Sequence, residues 1–460
     1  MPETFPHPAT LKIQGATYSA TARLADRRRE TVSHEALPDY QQLRQWAHNV
    51  KKHTLDHLDY YLEQLERNVT KRGGKVIWAR DGKDANEFIL GLARERGVKI
   101  IVKSKSMTSE EIHFNDHSEA AGIEPVETDL GEYIMQLAGE KPFHIIAPAL
   151  HKTREDVADL FTKHLHVARE TVVEKQTAIA RVALREKFLE AGMGITGANF
   201  LVADSGAIIV VENEGNARLS SSAPKIHVAV AGIEKLVPRA QDLAAFLKLL
   251  DRSATGQPLS VYTSLLAGPR RAGEPDGPDE FYLVLLDNGR TKLLADAAKR
   301  ESLYCIRCGA CLNHCPVYRK IGGHSYPWVY SGPIGKIITP QFMGVQKDPW
   351  LPFASSLCGA CAEVCPVKID LPKILLTLRQ EVTEMRTREG SNRSERTAFR
   401  MWAWVMRHPR LYEKMSVVGS GFARAFPGLL AIGPVKAWLS QREMPATPKQ
   451  SFRELWKDRK

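Results

Sequence analysis

From Asp39 to about Val69, the apolar residues Leu43, Trp46, Val50, Leu58, Tyr61, Leu65 and Val69 recur at steps of three and four residues or sums of them. At 3.6 residues per turn these positions form one stripe, which predicts a single long amphipathic helix ended by Gly73-Gly74. Residues 1–38 show no clear period, carry Pro2, Pro6, Pro8 and Pro38 and the basic run Arg27-Arg28-Arg29, and are expected to form an arm. Between Lys75 and roughly Leu294 the pattern changes to short apolar runs alternating with helical stretches. Val76-Ile77-Trp78 precedes an amphipathic segment around Phe88, Leu92 and Ala93, and then comes Val98–Val102. A capping-box spacing from Thr108 to Glu111 predicts a further helix start, and the apolar run His144–Ala149 follows a second helical stretch. Strands alternating with helices predict an α/β domain with a mainly parallel sheet. Its second half reads as strands and turns, with Phe200–Ala203 and Ala207–Val211 separated by Asp204-Ser205-Gly206.

The chain of 460 residues has room for two to four domains at the usual ~100–200 residues each. With 43% apolar and 25% charged residues it is an ordinary globular composition, which excludes collagen-like, disordered and coiled-coil readings. It has no run of ~18 uncharged apolar residues, so no membrane span is expected. The first thirty residues lack a charged start followed by an apolar stretch, so a cytoplasmic location is the expectation. The net charge of +11 sits almost wholly in the tail, where 18 Lys and Arg face 8 Asp and Glu from Leu371 onward. That region also holds Trp402, Trp404, Trp438 and Trp456. Within residues 415–440, Val417, Val418, Phe422, Phe426, Leu429, Leu430 and Ile432 are broken by Gly and Pro. Such a segment suits docking to partner subunits or peripheral contact with the inner membrane face, and nucleic acid is not the expected partner.

All seven cysteines lie between residues 305 and 365, a clustering that points to metal and away from a disulfide scaffold. Cys305-x2-Cys308-x2-Cys311-x3-Cys315-Pro316 has the spacing of an iron–sulfur run, and a partner run follows as Cys358-x2-Cys361-x3-Cys365-Pro366. In two-cluster proteins of this kind the fourth cysteine of each run ligates the other cluster. Crossing the ligands gives cluster one Cys305, Cys308, Cys311 and Cys365, and gives cluster two only Cys315, Cys358 and Cys361. Ser355 stands where the second run would have its first cysteine. Two [4Fe-4S] clusters are therefore expected. For cluster two the alternatives are a [3Fe-4S] cluster, or a four-iron cluster whose last iron takes Ser355, water or a substrate oxygen. The 42 residues between Cys315 and Cys358 predict a mostly helical dicluster module with an inserted loop. Arg307, Arg319 and Lys320 bring positive charge near the thiolates, which favours a reduced cluster. His314 and His324 are substitute ligands of lower rank.

From Lys75 to the end the chain resembles the lactate utilization protein B family of bacterial iron–sulfur proteins. The resemblance rests on Lys103-Ser104-Lys105-Ser106-Met107, Glu127–Glu132, His144–His151, Gly194–Asn199, Glu212–Asn216, Thr255-Gly256-Gln257, Gly268-Pro269-Arg270 and Asp287–Arg290, together with the seven cysteines. It implies a sheet domain like those of sugar-phosphate isomerases and CoA transferases, followed by an α-helical dicluster ferredoxin-like domain and a helical basic tail. The parts are 1–74, arm and long helix; 75–294, lactate-utilization domain; 295–380, dicluster domain; and 381–460, basic tail. It further implies an electron-transfer role beside two other lactate-utilization proteins that together oxidise L-lactate to pyruvate, with a downstream electron acceptor. The alternative is a hydroxy-acid oxidoreductase acting through its own α/β pocket and the open corner of cluster two.

No catalytic residue is supplied by the resemblance. Gly192-x-Gly194-x-x-Gly197 fits the letters of a dinucleotide fingerprint but does not open a helix after a strand. Gly194–Gly197 as a loop, with Lys103, Lys105 or Arg270, is a candidate carboxylate pocket. Glu212–Asn216 resembles the glutamate loop of CoA transferases and is a candidate for acid/base or nucleophilic work. Asp129 and Glu132 are expected to cap a helix.

Overall fold

The computed structural model describes residues 10–425, 450, 452–457 and 459. Two compact units divide at Val382 and Thr383. The first is built around a six-stranded sheet of β1 (Lys75–Ala79), β2 (Ile100–Lys103), β3 (Glu124–Glu127), β4 (Met193–Thr196), β7 (Ile226–Gly232) and β10 (Glu280–Leu286). Its order is β1-β10-β7-β4-β2-β3, and every pairing is parallel, with Val102 opposite Gly194, Ile195 opposite Val228 and Ala229 opposite Leu283. All seven residues of β7 are buried, as a sheet covered on both faces requires, and its one polar side chain, His227, pairs with Thr196 Oγ1 at 2.9 Å. A second sheet, ordered β8-β5-β6-β9, joins β5 (Phe200–Val202), β6 (Ala207–Glu212), β8 (Leu236–Val237) and β9 (Tyr262–Leu266). The β5–β6 hairpin turns at Gly206, whose φ is +68°.

Several expected elements are corrected. The supposed arm contains helix α1 (Leu11–Thr31), whose buried face is Thr17, Thr21, Ala25 and Arg28. This stripe is polar, so hydrophobic periodicity misses it. The threonine hydroxyls donate to Ile13 and Thr17 carbonyls at 2.7 Å, which makes their burial affordable. The single long helix is two, α2 (Tyr40–Asp56) and α3 (Leu58–Lys71), broken at His57. The break lets α2 pack on the helix Leu243–Ala254 while α3 packs on β1. The cap near Thr108 is Ser106, whose Oγ accepts from Ser109 N at 3.2 Å, and Glu111 turns inward to Arg290 instead. His144–Ala149 is not a strand, because the buried His144 ring takes the Ile146 and Ala147 N–H groups onto Nδ1. Gly194–Thr196 is not a loop but part of β4. Gly194 is required there because a Cβ would lie 1.6 Å from the Ser220 carbonyl oxygen.

One continuous core joins α2 and α3 (Leu55, Leu65), the second sheet (Phe200, Ile208, Leu236) and the cysteine-bearing segment (Leu312, Tyr318, Ile337, Leu378). The cysteines are thus set on the same packed body as the sheets. Between the two runs, the inserted stretch is largely folded and includes the helix Gly332–Met343, buried from Gly332 to Pro340. The second unit contains the helices Arg393–Met406 and Pro409–Ala425. Phe399, Met401, Trp402, Trp404, Val417, Val418 and Phe422 are exposed there. Trp456 is exposed as well, whereas Trp438 and the expected apolar positions Phe426, Leu429, Leu430 and Ile432 lie outside the described residues. No helix among the described residues is long and apolar enough to cross a membrane.

Candidate iron–sulfur centre

The two cysteine runs fold the same way. In the first, Arg307 adopts φ +59° and its N–H donates to Cys305 Sγ at 3.4 Å, and Gly309 follows Cys308 at φ +73°. In the second, Leu357 adopts φ +54° and its N–H donates to Ser355 Oγ at 3.2 Å, and Gly359 follows Cys358 at φ +83°. A left-handed residue without glycine's freedom is uncommon, so its recurrence just before Cys308 and just before Cys358 marks a common loop. Ser355 Oγ occupies in the second loop the position that Cys305 Sγ occupies in the first. Cys315, Ser355, Cys358 and Cys361 line one small cleft.

All seven cysteines are free thiols. Cys365 lies within electrostatic reach of Cys305, and Cys308 within reach of both. Cys361 is coupled instead to Cys315 and Cys358. The two groups adjoin, since Cys311 is influenced by Cys361 as well as by Cys308 and Cys305. Burial pushes Cys361 up to about 11 and Cys365 up to about 12, so thiolates at these positions need the positive charge of a bound metal. Backbone N–H groups are already aimed at sulfur: Tyr318 at Cys315 Sγ and Ile369 at Cys365 Sγ, each at 3.4 Å. Grouped free thiols with oriented donors fit iron–sulfur clusters.

Elements distant in sequence hold the second run in place. Arg44 of α2 donates to the carbonyls of Cys365 at 2.9 Å and Glu363 at 2.8 Å, and Arg28 of α1 to that of Val364 at 3.1 Å. Of the expected cations, only Arg307 meets a cysteine sulfur, through its N–H. Arg319 bonds Thr21 Oγ1 and the Asn313 carbonyl, and Lys320 is exposed. The cation at sulfur is Lys336, fully buried, with Nζ 3.7 Å from Cys315 Sγ. His314 and His324 are engaged by the carbonyls of Ala310 and Lys141.

A family model described as a LUD domain matches residues 62–286, a 4Fe-4S dicluster domain matches residues 301–369, and a model of the C-terminal part of lactate utilisation protein B matches residues 377–460. The chain is 44% identical to "Lactate utilization protein B" of Bacillus velezensis over 97% of its own length and 94% of the relative's. It belongs to the lactate utilization protein B family. The relative of the same name from Anoxybacillus flavithermus is also 44% identical, over 97% of this chain and 95% of that one. A solved structure of a duf162 family protein from Deinococcus radiodurans is 12% identical, covers 50% of this chain and 98% of that one, and superposes with a TM-score of 0.26. The strand order above, not that likeness, defines the fold.

A separate cavity of about 250 Å³ opens beside the ends of β2, β4 and β6. Lys105, Gly197 and Glu212–Glu214 line it, as expected of a pocket in this part of the chain. Lys103 does not: it is buried between Glu127 at 2.6 Å and Glu110 at 2.7 Å. Arg270 pairs with Asp279 at the surface. Asp129 does cap its helix, accepting from Glu132 N at 3.1 Å, but the Glu132 side chain is buried beside Glu127, and burial and that neighbour push its carboxyl well up. The cavity is also lined by Lys235 and Arg307, and by none of Cys315, Ser355, Cys358 or Cys361.

Proposed function

We propose that this chain is an iron–sulfur electron-transfer subunit which, with two other lactate-utilization proteins, takes part in oxidising L-lactate to pyruvate and passes the electrons to a downstream acceptor. Membership of the family supports the substrate. The observation that carries the relay is the sorting of the thiols into two adjoining groups, Cys365 beside Cys305 and Cys308, and Cys361 beside Cys315 and Cys358. In this reading Cys305, Cys308, Cys311 and Cys365 hold one [4Fe-4S] cluster. Cys315, Cys358 and Cys361 hold the second, with the Ser355 hydroxyl at its fourth corner.

When bound, the clusters supply one-electron carriers. The protein supplies the rest. The N–H groups of Arg307, Tyr318 and Ile369 and the ammonium of Lys336 favour the extra negative charge of a reduced cluster. Cys308 and Cys365 are buried while Cys358 is exposed, which makes the second cluster the one a partner reaches. The tail, with its excess of 10 positive charges and its exposed tryptophans, docks to a partner or to the inner membrane face of the cytoplasm. The α/β cavity does not reach the open corner of cluster two, which weighs against an oxidoreductase that would use both at once.

The test is anaerobic purification followed by iron and sulfide determination and electron paramagnetic resonance during a reductive titration. Two magnetically interacting one-electron centres are expected. A single centre, or a zinc-only protein, would overturn the relay.

A further inference from the structure

The α/β cavity contains three cations, and they are not equivalent. Lys105 donates to the Ile146 carbonyl and neighbours Glu214. Arg307 donates to Glu234 at 3.3 Å and its Nη1 has no acceptor. Lys235 is 9% exposed and makes no hydrogen bond or ion pair with any described residue. An ammonium that is nine-tenths buried, lines a cavity and lacks a partner is costly unless an anion joins it. Burial and the neighbouring Arg307 bring Lys235 down to about 8 against the opposing pull of Glu234, a carboxylate whose oxygens are already taken by Arg290 and Arg307.

The rest of the lining narrows the class of anion. Ser104, Ser106, Thr108 and Asn199 offer hydroxyl and amide groups suited to a hydroxyl or carbonyl next to the anionic group. The carboxylates that also line the cavity already accept hydrogen bonds, Asp129 from Glu132 N, Glu214 from Leu130 N, Glu212 from Ala217 N and Arg218 N, and Asp251 from Ser260. The volume of about 250 Å³ lies below the ~300–1,000 Å³ of sites for drug-sized ligands, so the occupant is small. Position completes the case. Arg307 belongs to the first cysteine run, and its N–H donates to Cys305 Sγ while its side chain lines the cavity.

We propose that this cavity is a binding site for a small α-hydroxy or α-oxo carboxylate, whose carboxylate is held by Lys235 and Arg307 one residue away from cluster one. The proposal rests on the lactate-utilization reading and adds to it a place for the acid inside this chain. It concerns binding alone: the acceptor of the electron pair belongs to a partner.

The experiment uses the full cluster-loaded chain, titrated calorimetrically with L-lactate, pyruvate and the neutral isostere lactamide. At least one of the acids is expected to bind once per chain, lactamide not at all, and Lys235→Gln to weaken the acid by about tenfold or more, the worth of one charge-assisted hydrogen bond. The bound acid is also expected to shift the resonance of cluster one in the wild type and not in Lys235→Gln. No heat and no shift with either acid, equal binding of lactamide, or unchanged affinity in a cluster-loaded Lys235→Gln would each overturn the proposal. Should the variant fail to load its clusters, the discrimination between acid and amide in the wild type decides by itself. Loss of the proposal with both cluster signals intact leaves the relay standing, whereas acid binding without clusters counts against the relay and not against the cavity.

Discussion

Ser355 differs from Cys305 by one atom in an otherwise repeated loop, and that atom sets the strength of the fourth corner. An alkoxide is far harder to form than a thiolate, so serine holds iron more weakly. Ser355→Cys is therefore expected to slow the loss of cluster two in air and Ser355→Ala to hasten it, followed by electron paramagnetic resonance. Equal decay in all three proteins would place Ser355 away from the iron. Lys336 acts on the same cluster through charge. Losing a charge-assisted contact worth about 1.5 kcal/mol, with 1.4 kcal/mol equivalent to about 59 mV for one electron, Lys336→Met should lower the potential of cluster two by about 60 mV and that of cluster one by less, since Cys311 also feels this ammonium. Glu234 shows how the buried charges respond to acid. Burial raises its pKa, but Arg290, with Nε against Glu234 Oε2, and Arg307 outweigh burial and bring it from 4.5 to about 2. A carboxylate depressed in the fold stabilises it fully above pH 4.5, and that contribution is lost as pH falls toward 2. Wild type should lose stability in urea more steeply than Glu234→Gln across that window, and Glu234→Gln should already be weaker at pH 7 by about 3 kcal/mol. At this scale the cysteines and Ser355 are legible in the sequence because their spacing is local. Lys336 and Lys235 are not, because they reach the sites from segments whose approach only folding decides.

Among the elements, the two runs depend on each other. The proximity of Cys365 to Cys305 predicts that Cys305→Ala and Cys365→Ala abolish the same resonance signal, while Cys361→Ala abolishes the other. Loss of different clusters in the first two variants would refute the crossed ligation. Strands β1, β5 and β6 are readable in sequence because they carry the unbroken apolar runs Val76–Trp78, Phe200–Val202 and Ala207–Val211, whereas β7 is interrupted by the buried His227. α1 is not readable, since its buried face is two threonines, an alanine and an arginine, and the hydroxyls and the Arg28 Nη2 are held by hydrogen bonds. The break at His57 carries no glycine or proline to announce it. His144–Ala149 reads as a strand by composition but is organised by one imidazole. The position of Gly194 in β4 likewise explains its glycine by the close approach of Ser220, which leaves the letters of a dinucleotide fingerprint without that chemistry.

For the whole molecule, the continuous core from α2 and α3 to the cysteine segment implies that the clusters share the stability of the first compact unit, which ends at Val382. Truncation after Glu389 should then leave both clusters assembled and weaken association with partner or membrane, measured by co-sedimentation with the partner proteins and with anionic vesicles. Loss of cluster absorbance on truncation would make the tail structural instead. The most direct test of the relay mixes the cluster-loaded chain anaerobically with L-lactate, with and without its two partner proteins, and follows the clusters by rapid-freeze electron paramagnetic resonance. The account predicts reduced-cluster signals only when the partners are present, and their re-oxidation by the downstream acceptor. Reduction of the clusters by L-lactate in this chain alone would contradict it.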